Sequence, residues 1–211
     1  MDTYIHFILD RSGSMWETMS DTIGGFNSFL NSQKNEVNKE SNCFMSLYQF
    51  DNEYDIIYKN KVMCDVEELN EESFVPRGQT ALIDAIGRTI VSINCENSVK
   101  INKEVNDQII VVILTDGFEN CSTEFNHKKV MKMVKEKESI GWKFVFLGAN
   151  QDAIETANNL GISKNSAMTY AQTPENVRAC FSGLSDAVNR ARTGDSVNVE
   201  FTPQERQQSQ Y

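Results

Sequence analysis

Three short segments of the sequence carry oxygen-bearing side chains of the kind that bind divalent metal ions. Asp10-x-Ser12-x-Ser14 follows one apolar run, Asp116-Gly117 follows another, and Thr80 lies in a loop between them. Hard divalent cations prefer carboxylate, hydroxyl and water oxygens. Two carboxylates and three hydroxyls supply that set without histidine or cysteine. We therefore expect a site for Mg²⁺, with Mn²⁺ or Ca²⁺ as alternatives, formed by Asp10, Ser12, Ser14, Thr80 and Asp116.

The elements that must position these segments are predicted strands and helices, which alternate along the chain. Apolar runs of strand length, such as residues 5–9 and 109–114, alternate with segments whose apolar residues recur with helical period. The run at 109–114 is unbroken and β-branched, which is typical of a strand buried on both faces of a parallel sheet. The pattern predicts an α/β fold with a doubly wound, mostly parallel six-stranded sheet and helices on both faces. A hairpin at residues 43–58 supplies one antiparallel edge strand.

Such a sheet explains why the three segments would meet. Ligands of open parallel sheets bind outside the carboxyl ends of the strands. The first and third segments directly follow strands, and Thr80 opens the second helix. Gly13 lets the two serine hydroxyls point the same way, and Gly117 allows a tight turn where a side chain would block the site.

Each segment also has a purely structural interpretation. Asp10 and Asp116 could cap helices, the two serines could be turn residues, and Thr80 could cap the second helix. The joint occurrence of all three segments in this order favours the metal site.

Together the segments resemble the metal-ion-dependent adhesion site of the von Willebrand factor A-type (integrin I-like) family, and the neighbouring DRSGSM, GQTAL and ILTDG agree with it. The resemblance spans about residues 3 to 190 in element order. It implies that Ser12, Ser14 and Thr80 offer hydroxyls to the ion, while Asp10 and Asp116 act directly or through water. One coordination position would stay open to an acidic residue of a partner protein. The family implies a metal-dependent protein-binding module of soluble bacterial or phage type, not an enzyme.

The surroundings of the expected ion contain aromatic and charged residues suited to a binding rim. We expect Trp16, Arg77 and Phe118 to contact the partner, as aromatic and arginine side chains commonly do at interfaces. Arg11, Met15, Glu17, Glu119 and Asn120 lie close by in the sequence. The alternative is that Trp16 and Phe118 fold inward and cover the loops.

An enzyme is the competing class, in the form of a metal-dependent phosphohydrolase that uses Asp10 and Asp116. No lysine lies beside these loops to assist phosphoryl transfer. His6 lies inside the first strand and His127 in or before a helix, so a Ser-His-Asp triad has no obvious base. The glycine-rich loops of dinucleotide and P-loop sites are also missing from the sequence.

The composition limits the class of partner and the cellular compartment that we expect. A net charge of −10 would repel a phosphate backbone, so nucleic acid is an unlikely partner. No stretch approaches the ~18 apolar residues of a membrane span. The five cysteines are odd in number and widely spaced, which suits a reducing, cytoplasmic location.

The chain length and the 3 prolines indicate one domain over residues 1–201, followed by a polar C-terminal tail at 202–211. Val197, Val199 and Phe201 alternate with polar residues, which suggests a short strand or a clamp on the sheet edge. We expect removal of the residues after Phe201 to be silent for folding.

Overall fold

The computed structural model of the protein describes residues 1–36, 42–99, 107–149 and 152–210. Within them the strands are β1 (Thr3–Asp10), β2 (Cys43–Phe50), β3 (Tyr54–Val62), β4 (Gln108–Thr115), β5 (Lys143–Ala149) and β6 (Ala167–Tyr170). They form one six-stranded sheet in the order β3-β2-β1-β4-β5-β6. Every neighbouring pair is parallel except β2 with β3, which is antiparallel. The predicted sheet, with its antiparallel edge, is confirmed.

Helices cover both faces of this sheet, as the pattern predicts. The described helices are α1 (Met19–Asn35), α2 (Leu82–Val99), α3 (His127–Glu138), α4 (Ala153–Asn159), α5 (Pro174–Thr193) and α6 (Pro203–Gln210). Apolar residues of α1 and α5 share one core with the sheet, and those of α2, α3 and α4 share the other. In the described part of the chain, no helix combines the length and the apolar character needed to cross a membrane.

The two cores follow from the alternation of side chains along each strand. Phe7 and Leu9 of β1 belong to the core under α1 and α5, and Ile8 belongs to the opposite core. In the sheet register Leu9 lies beside Leu114 of β4. The carboxyl ends of the two central strands therefore lie side by side, and the loops that follow them start from neighbouring points.

A pair of glycines in α1 marks a close contact between helices, as their cost to a helix suggests. A Cβ at Gly25 would overlap the ring of Phe181 on α5, whereas a Cβ at Gly24 would meet no other atom within 4 Å. Of the two glycines, Gly25 alone lies at a close contact. Phe181 also stacks near Phe7, so this contact connects both helices to β1.

The structure differs from the sequence prediction at the C-terminus. Residues 203–210 form α6, which lies against β6 and α5 instead of extending as a tail. The hydroxyl of Ser209 donates to the carbonyl of Thr169 at 2.9 Å, and Arg206 donates to the carbonyl of Ala167. Glu205 forms an ion pair with Arg190 of α5. Polar side chains hold α6 in place. The segment therefore lacks the helical period of apolar residues from which most helices are predicted.

The segment before α6 contains no strand in the described chain, so the alternating pattern at 197–201 is misleading in that respect. Val197 is exposed, while Val199 and Phe201 are buried in the core under α1 and α5. The backbone N–H of Phe201 donates to the carbonyl of Asn165 at 2.9 Å. The segment therefore packs two apolar side chains into the core and bonds to the turn that precedes β6.

Candidate metal centre

Asp10 ends β1 and is completely buried. Its Oδ1 accepts a 2.6 Å hydrogen bond from the backbone N–H of Ser12, and its Oδ2 accepts a 2.5 Å bond from the hydroxyl of Thr115. Burial raises the pKa of Asp10 to about 7, against the lowering effect of these two bonds, and the nearby charge of Asp116 raises it further. A neighbouring cation would favour the charged carboxylate in this position.

The two serines and Asp116 form a chain of hydrogen bonds. Ser12 and Ser14 place their Oγ atoms 3.1 Å apart in a short 3₁₀ turn, and Ser14 Oγ donates to Asp116 Oδ1 at 2.5 Å. Gln172, just after β6, donates to Asp116 Oδ2 at 3.0 Å. Burial raises the pKa of Asp116, the bond from Ser14 opposes this, and the charge of Glu17 adds to it.

Thr80 enters the site from the loop before α2. Its backbone N–H donates to Asn120 Oδ1 at 3.0 Å, and its carbonyl accepts from the N–H of Asn120 at the same distance. A Cβ placed on Gly117 would lie 3.0 Å from Thr80 Oγ1, 3.5 Å from Ser14 Oγ and 3.7 Å from Ser12 Oγ. All three hydroxyls therefore face one small space beside Gly117, which a side chain at that position would fill, as the sequence predicts.

Two acidic side chains, the half-buried Glu119 and the buried Asp84, join the loop after β4 to the start of α2. Glu119 accepts hydrogen bonds from the N–H of Ile83 and from the N–H groups of residues 121 and 122. Asp84 accepts from the N–H groups of residues 123–125. Burial would raise the pKa of Asp84, but these backbone bonds hold it below its ordinary value. The loops that carry Thr80 and Asp116 are thus fastened to each other.

The three side chains predicted to form a binding rim differ in their exposure. Trp16 is 58% exposed and Phe118 is 71% exposed, so neither folds inward over the loops. Arg77 is half exposed, and its guanidinium binds Asp51 and Glu53. Two other nearby residues, Met15 and Arg11, are buried and are not part of the rim surface.

The structure thus brings all five predicted ligands to one edge of the sheet, and it adds contacts that the sequence did not reveal. Thr115 and Gln172 orient the two carboxylates. Their only sequence signal is their position, since each lies at or just after the carboxyl end of a strand. Among the described residues, no three His, Cys, Asp or Glu side chains cluster to hold a metal ion. A cation here would depend on the hydroxyls as much as on the two carboxylates.

The residues present fit a hard divalent cation. The donors are all oxygens, as Mg²⁺, Mn²⁺ and Ca²⁺ prefer. They surround a space kept open by Gly117, and the two carboxylates supply the negative charge. In such a site Ser12, Ser14, Thr80 and Asp116 would hold the ion, with Asp10 acting from its buried position.

Comparison with known proteins agrees with this architecture. No protein-family model and no curated protein matches the sequence. Among solved structures, proximal thread matrix protein 1 from the mussel byssus aligns with a TM-score of 0.62 and 16% identity over 89% of this chain. The chain spans 46% of the length of that protein. A second structure of the mussel protein, described as having a zinc-occupied MIDAS motif, aligns with a TM-score of 0.61 and 13% identity, with the same coverage of both chains.

Two bacterial pilus proteins have the same fold. The vWF domain of the type V pili tip protein Mfa5 from Porphyromonas gingivalis has a TM-score of 0.61 at 11% identity, covering 89% of this chain and 95% of that one. The pilus adhesin SpaC from Lactobacillus rhamnosus GG has a TM-score of 0.65 at 14% identity, covering 90% of this chain and 30% of that one. The protein therefore has the fold of a von Willebrand factor A-type domain, as its sequence motifs imply.

Proposed function

We propose that this protein is a metal-dependent protein-binding module. It holds one divalent ion, Mg²⁺ in the first place, through Asp10, Ser12, Ser14, Thr80 and Asp116. The ion presents one open coordination position to an Asp or Glu of a partner protein.

One observation carries the proposal. Ser12, Ser14 and Asp116 form a continuous set of hydrogen-bonded oxygens, and Thr80 Oγ1 faces the same space beside Gly117. Turn or cap residues would satisfy backbone groups locally. Here a hydroxyl from the first segment instead contacts a carboxylate from the third, as expected for donors that share one ion.

The donor set favours a hard cation. Zinc occupies the motif in one structure of the mussel protein. In this chain the site has no Cys or His among its five residues, and those are the ligands that zinc commonly takes in proteins. We therefore propose Mg²⁺, with Mn²⁺ and Ca²⁺ as the next candidates.

A protein partner is favoured by what surrounds the ion. Trp16 and Phe118 expose large apolar surfaces two residues after Ser14 and Asp116 respectively. Exposed aromatic residues at a polar site are typical of interface hot spots. Arg77 lies on the same rim, already held by Asp51 and Glu53, so a partner would meet a fixed guanidinium.

The same geometry disfavours a phosphohydrolase that uses Asp10 as a nucleophile. Asp10 is completely buried, and both of its oxygens accept short hydrogen bonds. A nucleophile has to reach the phosphorus atom of its substrate. Held between Ser12 and Thr115, this carboxylate is suited to orienting neighbours and balancing charge, and we propose that the protein is not an enzyme.

The cytoplasmic location also remains a proposal. Its support is the five cysteines, all in described segments and all free thiols, of which Cys64 and Cys95 are exposed. Exposed thiols persist where the compartment is reducing.

The test is calorimetric titration of the metal-free protein with Mg²⁺, comparing wild type, Thr80→Ala and Thr89→Ala. Thr89 is the matched control, because it is a buried threonine of α2 whose hydroxyl binds the carbonyl of Ala85. We expect binding by wild type and Thr89→Ala and a clearly weakened affinity in Thr80→Ala. Absence of Mg²⁺, Mn²⁺ and Ca²⁺ binding in folded wild type would refute the proposed function.

A further inference from the structure

Asp51 lies in the turn between β2 and β3, outside the predicted ligand set. Only 1% of its side chain is exposed. Its Oδ2 accepts a 3.0 Å hydrogen bond from Arg11 Nε and a 2.8 Å bond from Arg77 Nε, and its Oδ1 accepts from the N–H of Glu53. One buried carboxylate thus binds two guanidinium groups from different parts of the chain.

These two arginines belong to the two loops that carry the hydroxyl donors. Arg11 stands between Asp10 and Ser12, and Arg77 precedes Thr80 by three residues. The backbone N–H of Arg77 also donates to the carbonyl of Arg11 at 2.7 Å. Asp51 therefore fixes the side chains of the same two residues whose main chains connect the loops.

The main chain around Asp51 contacts the Thr80 loop at two further points. The carbonyl of Asp51 accepts a 3.0 Å hydrogen bond from the N–H of Ala81. Gly78 has a φ of 69°, and a Cβ there would overlap Oδ1 of Asn52. The carbonyl of Gly78 in turn accepts from the N–H of Gly13 at 3.2 Å. The β2–β3 turn is thus packed against the loop before α2, which in turn bonds to the DxSxS loop.

The charges explain why a carboxylate is needed at this position. The buried Asp51 faces two guanidinium groups, and Arg11 has one further carboxylate partner in Asp55, at 2.6 Å. Removing one member of a buried ion pair leaves the other charge uncompensated, which is strongly unfavourable. A neutral residue in place of Asp51 would free Arg77 Nε and leave the buried Arg11 with Asp55 alone.

We propose that Asp51 is a positioning residue for the metal centre. Through Arg11 and Arg77 it holds the loop of Asp10, Ser12 and Ser14 against the loop of Thr80, so that hydroxyls from both loops face one point. The proposal rests on the proposed metal-binding function. Residues that orient metal ligands typically change metal affinity by about 10- to 100-fold when they are substituted.

The experiment compares the Mg²⁺ dissociation constants of wild type, Asp51→Asn and two controls by calorimetry. Asp55→Asn removes a carboxylate that binds Arg11 but not Arg77, so it controls for the loss of one negative charge. Glu205→Gln removes a largely buried carboxylate bound by Arg190, so it controls for lost stability. We expect at least about tenfold weaker binding in Asp51→Asn and much smaller changes in both controls.

A second measurement on the metal-free protein is amide hydrogen exchange at Gly13 and Arg77, whose N–H groups form the bonds between the two loops. Asp51→Asn should accelerate exchange at both positions relative to Asp55→Asn. Should Asp51→Asn fail to fold, Arg77→Gln at the half-exposed end of the network replaces it, with the same expected results.

The outcomes separate the two proposals. If wild type binds no metal ion, the proposed function fails, and exchange at Gly13 and Arg77 still decides whether Asp51 holds the loops. A folded Asp51→Asn with wild-type Mg²⁺ affinity overturns the positioning role. Unchanged exchange at both amides overturns it as well, whatever the metal titration gives.

Discussion

Ser14 and Asp116 are 102 residues apart in the chain, yet Ser14 Oγ donates a 2.5 Å hydrogen bond to Asp116 Oδ1. The bond joins the loop after β1 to the loop after β4 through side chains alone. An ion that enters the space beside Gly117 would compete for both of these oxygens. An ion held by both loops would connect them further, so ion binding should be measurable as added stability.

The first prediction is that Mg²⁺ raises the melting temperature. A ligand that binds only the folded protein stabilises it by about 2.7 kcal/mol at a hundredfold excess over Kd. Thermal unfolding in excess Mg²⁺ and in chelator should differ, and the shift should grow with the logarithm of the Mg²⁺ concentration. Asp116→Asn, which keeps the size of the side chain, should lose most of the shift. Superimposable curves for wild type would contradict the prediction.

The second prediction concerns the space beside Gly117. Gly117→Ala places a methyl group 3.0 Å from Thr80 Oγ1, where the ion would be coordinated. We expect Mg²⁺ affinity to fall by on the order of tenfold or more, while the metal-free protein remains folded. The matched control is Gly24→Ala in α1, where the new Cβ meets no atom within 4 Å. That control should gain up to ~1 kcal/mol of helix stability and keep its metal affinity. Equal affinity in both variants would mean that the ion does not bind beside Gly117.

The ligand residues could be predicted from sequence because their pattern is local. Ser12 and Ser14 alternate within one loop, and a β-branched run identifies the strand that ends beside Asp116. The contacts of Thr115 and Gln172 could not be predicted in this way. They depend on strand order, since Asp10 meets Thr115 only because β1 and β4 are neighbours in the sheet. The spacing of residues in the sequence does not indicate that β1 and β4 are neighbours.

Helix α6 was missed for a different reason. Its contacts are hydrogen bonds and an ion pair, made by Glu205, Arg206 and Ser209. Helix prediction depends mainly on apolar residues that recur with a period of 3.6, and residues 203–210 have none. A polar segment of this kind resembles a solvated tail until its long-range partners are known.

The third prediction replaces the expectation that the C-terminus can be removed without effect. Arg206 and Ser209 of α6 donate to the carbonyls of Ala167 and Thr169 in β6, which are polar groups of an edge strand. Exposed strand edges promote pairing between molecules. Deletion of residues 202–211 should lower the melting temperature and increase self-association. Unfolding curves and size-exclusion chromatography check this. A truncated protein with the melting temperature and elution volume of wild type would support the original expectation instead.

The fourth prediction is a pH dependence that comes from Asp84. Its pKa lies below the ordinary value of 3.8 because three backbone N–H groups stabilise the charged form. A carboxyl group whose pKa is lower in the folded protein than in the unfolded chain contributes stability above the unfolded pKa, and loses it as the pH falls through the folded one. Asp84→Asn should therefore reduce the free energy of unfolding at pH 7, and the difference should shrink as the pH falls below the ordinary pKa of 3.8. Denaturant titrations in chelator measure it, with Glu124→Gln, an exposed carboxylate paired with Arg88, as the control. An equal loss at both pH values would show that the charge of Asp84 is unimportant.

The last prediction concerns recognition of a partner's acidic residue. The open position of a bound ion is a Lewis-acidic site that an incoming carboxylate can coordinate, while an amide of the same size brings no charge to neutralise it. Two short peptides that differ only by Glu or Gln at the central position test this, each with apolar neighbours for the exposed Trp16 and Phe118. In NMR titrations with Mg²⁺ present, the Glu peptide should shift the signals of the Gly117 amide and the Trp16 indole N–H. The Gln peptide should have little effect, and chelator should abolish the response.

Trp16→Ala should weaken binding of the Glu peptide without changing Mg²⁺ affinity, because Trp16 contributes no metal ligand. Equal shifts from both peptides would place the recognition surface away from the ion.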